Sequence, residues 1–325
     1  MQVNLYKATI TTVKREIGDA AGLIKLLDPL ECVLCLFHSR LKPVPINVYD
    51  EIMSKICELL RSSRDRTELF VKSFRDVVEV LGRDPYNNVR EQLNTRGLKL
   101  ARTLLGKRLD VKTILELIAL GNILDVDMPD HRLEVESLKL TRTGALHFIP
   151  TNITDLVEKS KRVAIVLDNA GEAVVDIVLA HKLKEHGKEV VLVARSGRYE
   201  IDVTVDDVKK LLKRLGLEFE VRGTGSDYPV FHSEKCYDIL HDVDLVVAKG
   251  IANLESYLVG KAKDLEGKVV LVLSAKCKPI ARLLGVNLKD HVVIWDKYLL
   301  ELYSRLNVHE EVLVYDEGSN SKSRT

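Results

Sequence analysis

The fold is decided by residues 162–185, which read RVAIVLDNAGEAVVDIVLAHKLKE. The first six residues form a short β-branched run, and a run without polar alternation is typical of a strand covered on both faces. The residues from Ala173 onward have the length of a helix and follow the turn at Gly171. A strand followed at once by a helix is half of a βαβ unit, which indicates an α/β fold.

The same alternation continues towards residue 295. Five further apolar runs predict strands: EVVLVA, EFEVRG, DLVVAK, KVVLVLS and HVVIW. The segments between them are long enough to be crossover helices: VDDVKKLLKRLG, HSEKCYDILHD, NLESYLVGKAKDL and KPIARLLG. Alternating β and α units of this kind predict a doubly wound, mainly parallel sheet.

The preceding part of the chain has a different pattern. From about residue 13 to residue 120 apolar residues recur at helical spacing, as in VYDEIMSKICELL, which predicts roughly five to seven helices. Residues 133–155 could be a linker or elements that complete either the helical part or the α/β part. We therefore predict a mostly α-helical lobe at residues 1–155, an α/β domain at 156–317 with an edge strand at 310–316, and a disordered tail at 318–325.

Composition excludes several classes of function. The 325 residues are 46% apolar, enough for a sizeable core, and carry 49 Lys and Arg against 48 Asp and Glu. A chain so close to neutral has no overall electrostatic attraction for nucleic acid or for an anionic membrane surface. The apolar runs are too short to span a bilayer and the first twenty residues do not form a secretory signal, so we predict a soluble, cytoplasmic protein. Five cysteines do not make a disulfide framework in a chain of this length.

Polar residues follow the first two predicted strands of the α/β part. Asp168 and Asn169 come after the first strand, and Asp202 follows the second. Ligands of open α/β sheets collect outside the carboxyl ends of the strands, and paired oxygen ligands suit a hard divalent cation. We therefore predict that these three residues hold a metal ion. The alternative is that each merely caps the helix that follows.

Other polar residues reach the same predicted edge. Lys249 ends the fourth strand, where it would neutralise phosphate charge, and Asn253 begins the next helix. Asn122 and Asp125, in GNILD, would face this edge from the helical part. Ordinary alternatives are a solvated lysine and a helix-ending turn. Weaker candidates are the glycine turn at residues 222–227 and the SAKC segment at residues 274–277.

The pair Cys32 and Cys35, in CVLC, has the spacing of half a zinc site. No second such pair follows in the sequence, so helix packing is the preferred interpretation and a redox role the alternative.

With these motifs assembled, the chain resembles the metal-dependent damage-control phosphatases, a family also known as domain of unknown function 89 and including acidic-residue methyltransferase-like proteins. Seven blocks occur in the family's order: CVLC, DPY, GNILD, DNAGEAVVD, IDVT, KGIANLES and SAKCKPIARLLGV. The resemblance spans nearly the whole chain. It implies an α-helical lobe against a Rossmann-like α/β domain, which is the architecture predicted from the apolar patterns.

The resemblance also implies roles for individual residues. It gives Asp168, Asn169 and Asp202 as ligands of one divalent metal ion. It implies cleft and substrate contacts for Asn122, Asp125, Glu172, Lys249 and Asn253. One departure is Ile201, which stands where the family usually has asparagine; this removes a polar side chain next to Asp202 and affects substrate preference rather than metal binding.

The predicted activity is hydrolysis of a small phosphorylated metabolite, with Mg²⁺, Mn²⁺, Co²⁺ or Ni²⁺ as cofactor and with Asp168, Asn169 and Lys249 as catalytic residues. Nucleic-acid and membrane partners are not expected. A haloacid-dehalogenase mechanism is disfavoured because Ala170 stands where the second aspartate would be. Two alternatives stay open: carboxyl methylation with S-adenosylmethionine, weakened because no GxGxxG follows a strand, and a non-catalytic phosphometabolite-binding protein.

Overall fold

The computed structural model describes residues 27–121, 133–134, 139–140, 144–260 and 262–305. The first of these ranges contains five α-helices, α1 to α5, so the helical prediction is confirmed there. Their bounds are Pro29–Leu41, Tyr49–Ser62, Arg66–Leu81, Asn87–Leu105 and Val111–Leu120. Asp28, Asp65 and Asp110 are the N-caps of α1, α3 and α5, and each carboxylate accepts a hydrogen bond from a backbone N–H of the first turn.

A seven-stranded, mostly parallel sheet follows, and the mixed α/β fold is confirmed. In sequence order its strands β3 to β9 are Leu146–Ile149, Arg162–Val166, Glu189–Ala194, Glu220–Gly223, Leu245–Lys249, Val269–Ser274 and His291–Trp295. Their order across the sheet is β3-β9-β8-β7-β4-β5-β6. Strands β4 to β8 are parallel, whereas β9 is antiparallel to β8 and parallel to β3. The short β1 (Leu133–Glu134) and β2 (Lys139–Leu140) form a separate antiparallel pair.

Helices cover both faces of this sheet. In β4, Val163 and Ile165 belong to one apolar cluster, whereas Ala164 and Val166 belong to a second. This alternation explains the continuous apolar run in the sequence, since both faces of the strand are buried. The helices of this part, α6 to α11, are Thr154–Lys159, Glu172–Glu185, Val205–Leu215, Glu234–Tyr237, Ile251–Val259 and Lys278–Leu284, and residues 296–305 are also helical.

The strand order creates a switch point between β4 and β7. From β4 the chain proceeds outward to β5 and β6, and it then crosses back to place β7 on the other side of β4. Connections diverge at such a point, so a crevice opens at the carboxyl ends of the two strands. The residues that follow β4 and β7 therefore line a natural ligand position.

Some sequence predictions are not tested by the described residues. One strand of the sheet, Leu146–Ile149, precedes the domain boundary predicted at residue 155, and that boundary stays a prediction. Asn122, Asp125, the edge strand at 310–316 and the tail at 318–325 lie outside the described residues.

Among the helices described, none combines the length and the apolar character required to cross a bilayer.

Candidate metal and phosphate site

Backbone pairing brings the first two strand ends together. Asn169 forms an isolated antiparallel bridge with Asp202. The N–H of Ala170 donates to the carbonyl of Ile201 at 2.8 Å, and the N–H of Val203 donates to the carbonyl of Asp168 at 2.9 Å. The loops after β4 and β5 are thus joined by main-chain hydrogen bonds, which set the separation of Asp168, Asn169 and Asp202 independently of their side chains.

None of these three residues caps a helix. The N-cap of α7 is Gly171, which makes no side-chain cap hydrogen bond. The N-cap of α8 is Thr204, whose hydroxyl pairs with Asp207 in a capping box. The capping alternative considered from the sequence is therefore wrong, because none of the three side chains is used to cap α7 or α8.

Asp168 lies in a crowded, negatively charged position. Its side chain is 7% exposed, and a Cβ at Gly250 would overlap its carboxylate. Gly250 has φ of +85°, a conformation that glycine adopts readily, and its missing side chain leaves the space that the carboxylate fills. Burial, together with the charges of Asp202 and Glu172, raises the pKa of Asp168 well above its usual range. A nearby cation would relieve this repulsion.

The loop between Asp168 and α7 is held from two sides. The amide nitrogen of Asn169 donates to Glu172 Oε1 at 3.3 Å. The N–H of Gly171 donates to Asn94 Oδ1, on α4, at 3.0 Å. A Cβ at Gly97, one turn along α4, would overlap the carbonyl oxygen of Gly171, so the helix and the loop touch through their backbones.

Asp202 has a dedicated cationic partner. Arg195 Nε donates to Asp202 Oδ2 at 2.5 Å, and the guanidinium also donates to the carbonyl of Asp227 and lies 4.5 Å from the Tyr199 ring centroid. Burial raises the pKa of Asp202, against the opposing charge of Arg195. Arg195 therefore fixes the orientation of one candidate ligand, a role for which its sequence position gave no indication.

Lys249 lies below the site rather than in it. Its side chain is fully buried, and its amine donates to the Ile118 carbonyl at 2.8 Å and to Asp176 Oδ1 at 3.0 Å. Glu172 Oε2 lies 3.3 Å from the same amine. Burial favours the neutral amine, but the charges of Asp176 and Glu172 outweigh it and raise the pKa of Lys249. The alternative of a solvated lysine is wrong, and the amine is already engaged by two carboxylates.

Asn253, predicted as a substrate contact, is also buried beneath this edge. Its amide nitrogen donates to the Lys249 carbonyl at 2.7 Å, and its Oδ1 has no hydrogen-bond partner in the described ranges.

A cavity of about 230 Å³ opens above Asp168, Asn169 and Asp202, between the helical lobe and the sheet edge. Arg195 and Lys276 are its cationic lining residues on the sheet side, and the Lys276 charge lowers the pKa of Asp168 against the larger effect of burial. Neither Lys249 nor Glu172 lines this cavity. The lining residues of the helical lobe are Cys35, Ser39, Arg66, Thr67, Phe70 and Val71.

An ion pair closes one side of the cavity. Arg66, on α3, pairs with Glu255, on α10, and its guanidinium stacks 4.3 Å from the Phe70 ring centroid. This pair joins the helical lobe to the α/β part directly beside the candidate ligands.

Cys32 and Cys35 differ in their exposure to solvent. Cys32 is buried in α1, as expected for helix packing, whereas Cys35 is exposed and lines the cavity. Both are free thiols.

The donor set fits one hard divalent cation. Asp168, Asn169 and Asp202 offer two carboxylates and one carboxamide, all oxygen donors. Within the described residues no cluster of three or more His, Cys, Asp and Glu side chains is suited to hold a metal, so the amide is needed to complete a set of three. Glu172 Oε2 is buried and has the Lys249 amine, 3.3 Å away, as its ion-pair partner. The buried carboxylates of Asp168 and Asp202 lie near that of Glu172, and a bound cation would offset the repulsion among them.

Comparison with known proteins identifies relatives over most of the chain. Residues 10–292 match the family model described as "Damage-control phosphatase ARMT1-like domain". An uncharacterized protein of Methanocaldococcus jannaschii is 30% identical over 65% of this chain and 73% of its own length. A protein of Archaeoglobus fulgidus named "Damage-control phosphatase" is 28% identical over 75% of this chain and 87% of its own.

A solved structure has the same fold. The crystal structure of a DUF89 family protein from Pyrococcus horikoshii superposes with a TM-score of 0.66 and 22% sequence identity. The superposition covers 82% of this chain and 97% of that one. At this identity the likeness concerns the fold alone.

Proposed function

Because the chain belongs to the damage-control phosphatase ARMT1-like family, as its motifs predicted, we propose that it is a divalent-metal-dependent phosphatase acting on small phosphorylated metabolites. The relatives from Archaeoglobus fulgidus and Pyrococcus horikoshii that carry the name damage-control phosphatase support phosphatase activity.

One observation supports the metal-dependent form of this activity. Asp168 and Asp202 are each only 7% exposed, yet their carboxylates lie beside Glu172, and the pKa of Asp168 is raised well above its usual range. Arg195 pairs with Asp202 and Lys249 with Glu172, but the three neighbouring buried carboxylates still repel one another, and a cation bound among them would relieve that repulsion. The residues that would hold this cation are Asp168, Asn169 and Asp202.

The chemistry divides between the ion and the chain. Mg²⁺, Mn²⁺, Co²⁺ or Ni²⁺ bound there would supply a Lewis acid that polarises a phosphoryl oxygen and favours attack by water. Lys276, in the cavity wall, would neutralise the charge of the phosphoryl group. Arg195 would hold Asp202 in one orientation, and Lys249 would balance the charges of Glu172 and Asp176 beneath the site.

The test is phosphate release from sugar phosphates and p-nitrophenyl phosphate by metal-stripped protein, with each divalent cation added back. We expect release only with metal, and none from Asp168→Ala. Lys276→Met should lower kcat/KM by about 10²-fold, as for loss of one charge-stabilising group. Lys278→Met is the matched control, because Lys278 is exposed, lies two residues further on and is outside the cavity.

Three outcomes would contradict the proposal. They are release without metal, unchanged release by Asp168→Ala, and absence of release from every substrate tested. In the last case tight binding of S-adenosylmethionine would favour methyl transfer, and binding of a sugar phosphate without turnover would favour a binding protein.

A further inference from the structure

A second cavity lies between α4 and α8. It has no lining residue in common with the cavity above Asp168, Asn169 and Asp202, which we call the catalytic cavity. Its volume is about 400 Å³, which is within the range of small-molecule sites. We call it the basic groove; its lining residues are Asn87, Arg90, Glu91, Asn94, Arg198, Asp207, Lys210, Leu211, Lys213 and Arg214.

The groove concentrates positive charge. Five of its lining residues are Lys or Arg and two are Asp or Glu, whereas the whole chain has a formal net charge of only +1. A cavity lined mainly by one sign of charge attracts ligands of the opposite sign. The groove therefore favours an anion.

Some of these cations already have carboxylate partners. Arg198 makes a two-pronged ion pair with Asp207, and Arg214 lies 3.5 Å from Glu91 across the groove. Arg90 is paired with Asp84.

The two lysines differ from the arginines. Lys210 and Lys213 have no ion-pair partner among the residues that the structure describes. They are three residues apart on α8, so their side chains lie on the same face of the helix. Two uncompensated ammonium groups consequently face one small cavity.

Two lining residues of the groove contact the loops that follow β4 and β5, which we call the catalytic loops. Arg90 donates to the carbonyl of Glu200, and Asn94 accepts the N–H of Gly171. Arg90 and Asn94 hold the loops that carry Asp202 and Asp168, so their side chains are already engaged in hydrogen bonds within the protein. The lysine pair is the part of the groove that is free to engage a ligand.

We propose that the basic groove binds a small polyanion with two linked phosphate groups. Cβ atoms three residues apart on a helix are about 5–6 Å from each other, so the two flexible lysine side chains can reach a single ligand that carries two linked phosphate groups. Arg198 and Arg214, which are paired with Asp207 and Glu91, flank the lysines and add positive charge on either side. The cavity is a surface groove of about 400 Å³, a size that fits a small metabolite.

Isothermal titration calorimetry of the metal-stripped full-length chain with inorganic pyrophosphate tests this proposal, and it measures binding without any turnover. Lys210→Glu/Lys213→Glu should raise the dissociation constant by about tenfold or more, since two attractive charges become repulsive. Lys209→Glu/Lys235→Glu changes the net charge equally at exposed positions outside the groove, and it should bind like the parent protein.

A third variant separates this site from the catalytic cavity. Lys276→Met removes a cation from that cavity and should leave pyrophosphate affinity within about twofold, because the groove is untouched. The proposal is overturned if the parent chain does not bind pyrophosphate, if both charge-matched double variants lose affinity equally, or if Lys276→Met abolishes binding. Circular dichroism confirms that each variant is folded.

Discussion

Lys249 shows how one buried cation determines the stability of the site. Its amine is shared by Asp176, Glu172 and the Ile118 carbonyl, with no exposed surface. Lys249→Met leaves two buried carboxylates without a cation, and we expect it to lower the free energy of unfolding by about 3–5 kcal/mol in urea denaturation. Burial raises the pKa of Asp176 to about 6, so loss of the Lys249 charge would further favour its protonated form.

A second variant makes this prediction specific. Adding Asp176→Asn to Lys249→Met removes one of the unpaired charges and should recover part of the lost stability. If the double variant were as unstable as the sum of the two single variants, lost packing and not charge would be the cause.

At the residue scale, the sequence indicated some of the candidate site and not the rest. Asp168 and Asn169 come just after an apolar strand, and Asp202 lies in the loop that follows the next strand; parallel strands bring such positions to one edge. Lys249 and Lys276 also stand at or just beyond strand ends, and Lys249 was the preferred candidate from its sequence position. The difference is that Lys249 ends β7 inside the packed layer, whereas Lys276 lies beyond β8. Arg195 was not predicted, because its partner Asp202 is reached only when the loop folds back.

At the scale of elements, the position of α4 against the catalytic loop depends on Gly97. A Cβ there would lie 3.0 Å from Gly171 Cα and from Val174 Cβ, besides overlapping the Gly171 carbonyl. Alanine normally stabilises a helix interior by about 1 kcal/mol relative to glycine. We expect Gly97→Ala to be destabilising instead, by about 1–3 kcal/mol, because the helix must move away from backbone atoms. Phosphate release should fall as well.

Gly106→Ala is the control for this prediction. Gly106 follows the same helix and has φ of −79°, and a Cβ added there would have no atom within 4 Å. It should leave the urea midpoint unchanged or raise it slightly. Equal effects of the two substitutions would show that helix propensity, and not the contact with Gly171, is what matters.

Most elements were predictable because their apolar runs are buried on both faces, as in β4, β5, β7 and β8. Strand β3 escaped prediction because it is four residues long and half-buried along its length. The reversed direction of β9 could not be predicted either, since HVVIW resembles the parallel strands and an apolar run carries no information on its direction. That direction depends on the connection and on pairing with β3.

At the scale of the whole molecule, ion pairs join the helical lobe to the α/β part. Arg75 on α3 donates to both carboxylate oxygens of Asp227, at 2.7 and 2.5 Å, and the carbonyl of Asp227 accepts a hydrogen bond from Arg195. A double-mutant cycle of Arg75→Met and Asp227→Asn in urea should give a coupling of about 0.5–1 kcal/mol, as for a partly exposed pair. The coupling should shrink in about 1 M salt, where such charges are screened. A coupling of zero at low salt would mean that this pair does not help to dock the lobe.

The backbone contact between Gly97 and Gly171 also bears on which parts of this chain tolerate substitution. Where two main chains touch, no side chain remains to vary, so the gap between α4 and the catalytic loop has the same width in any sequence that keeps both glycines. The opposite wall, formed by Cys35, Ser39, Arg66 and Phe70, consists of side chains. We therefore expect substitutions in that wall of this chain to change the size and polarity of the cavity, and substitutions at the Gly97–Gly171 contact to disturb the packing of α4 instead.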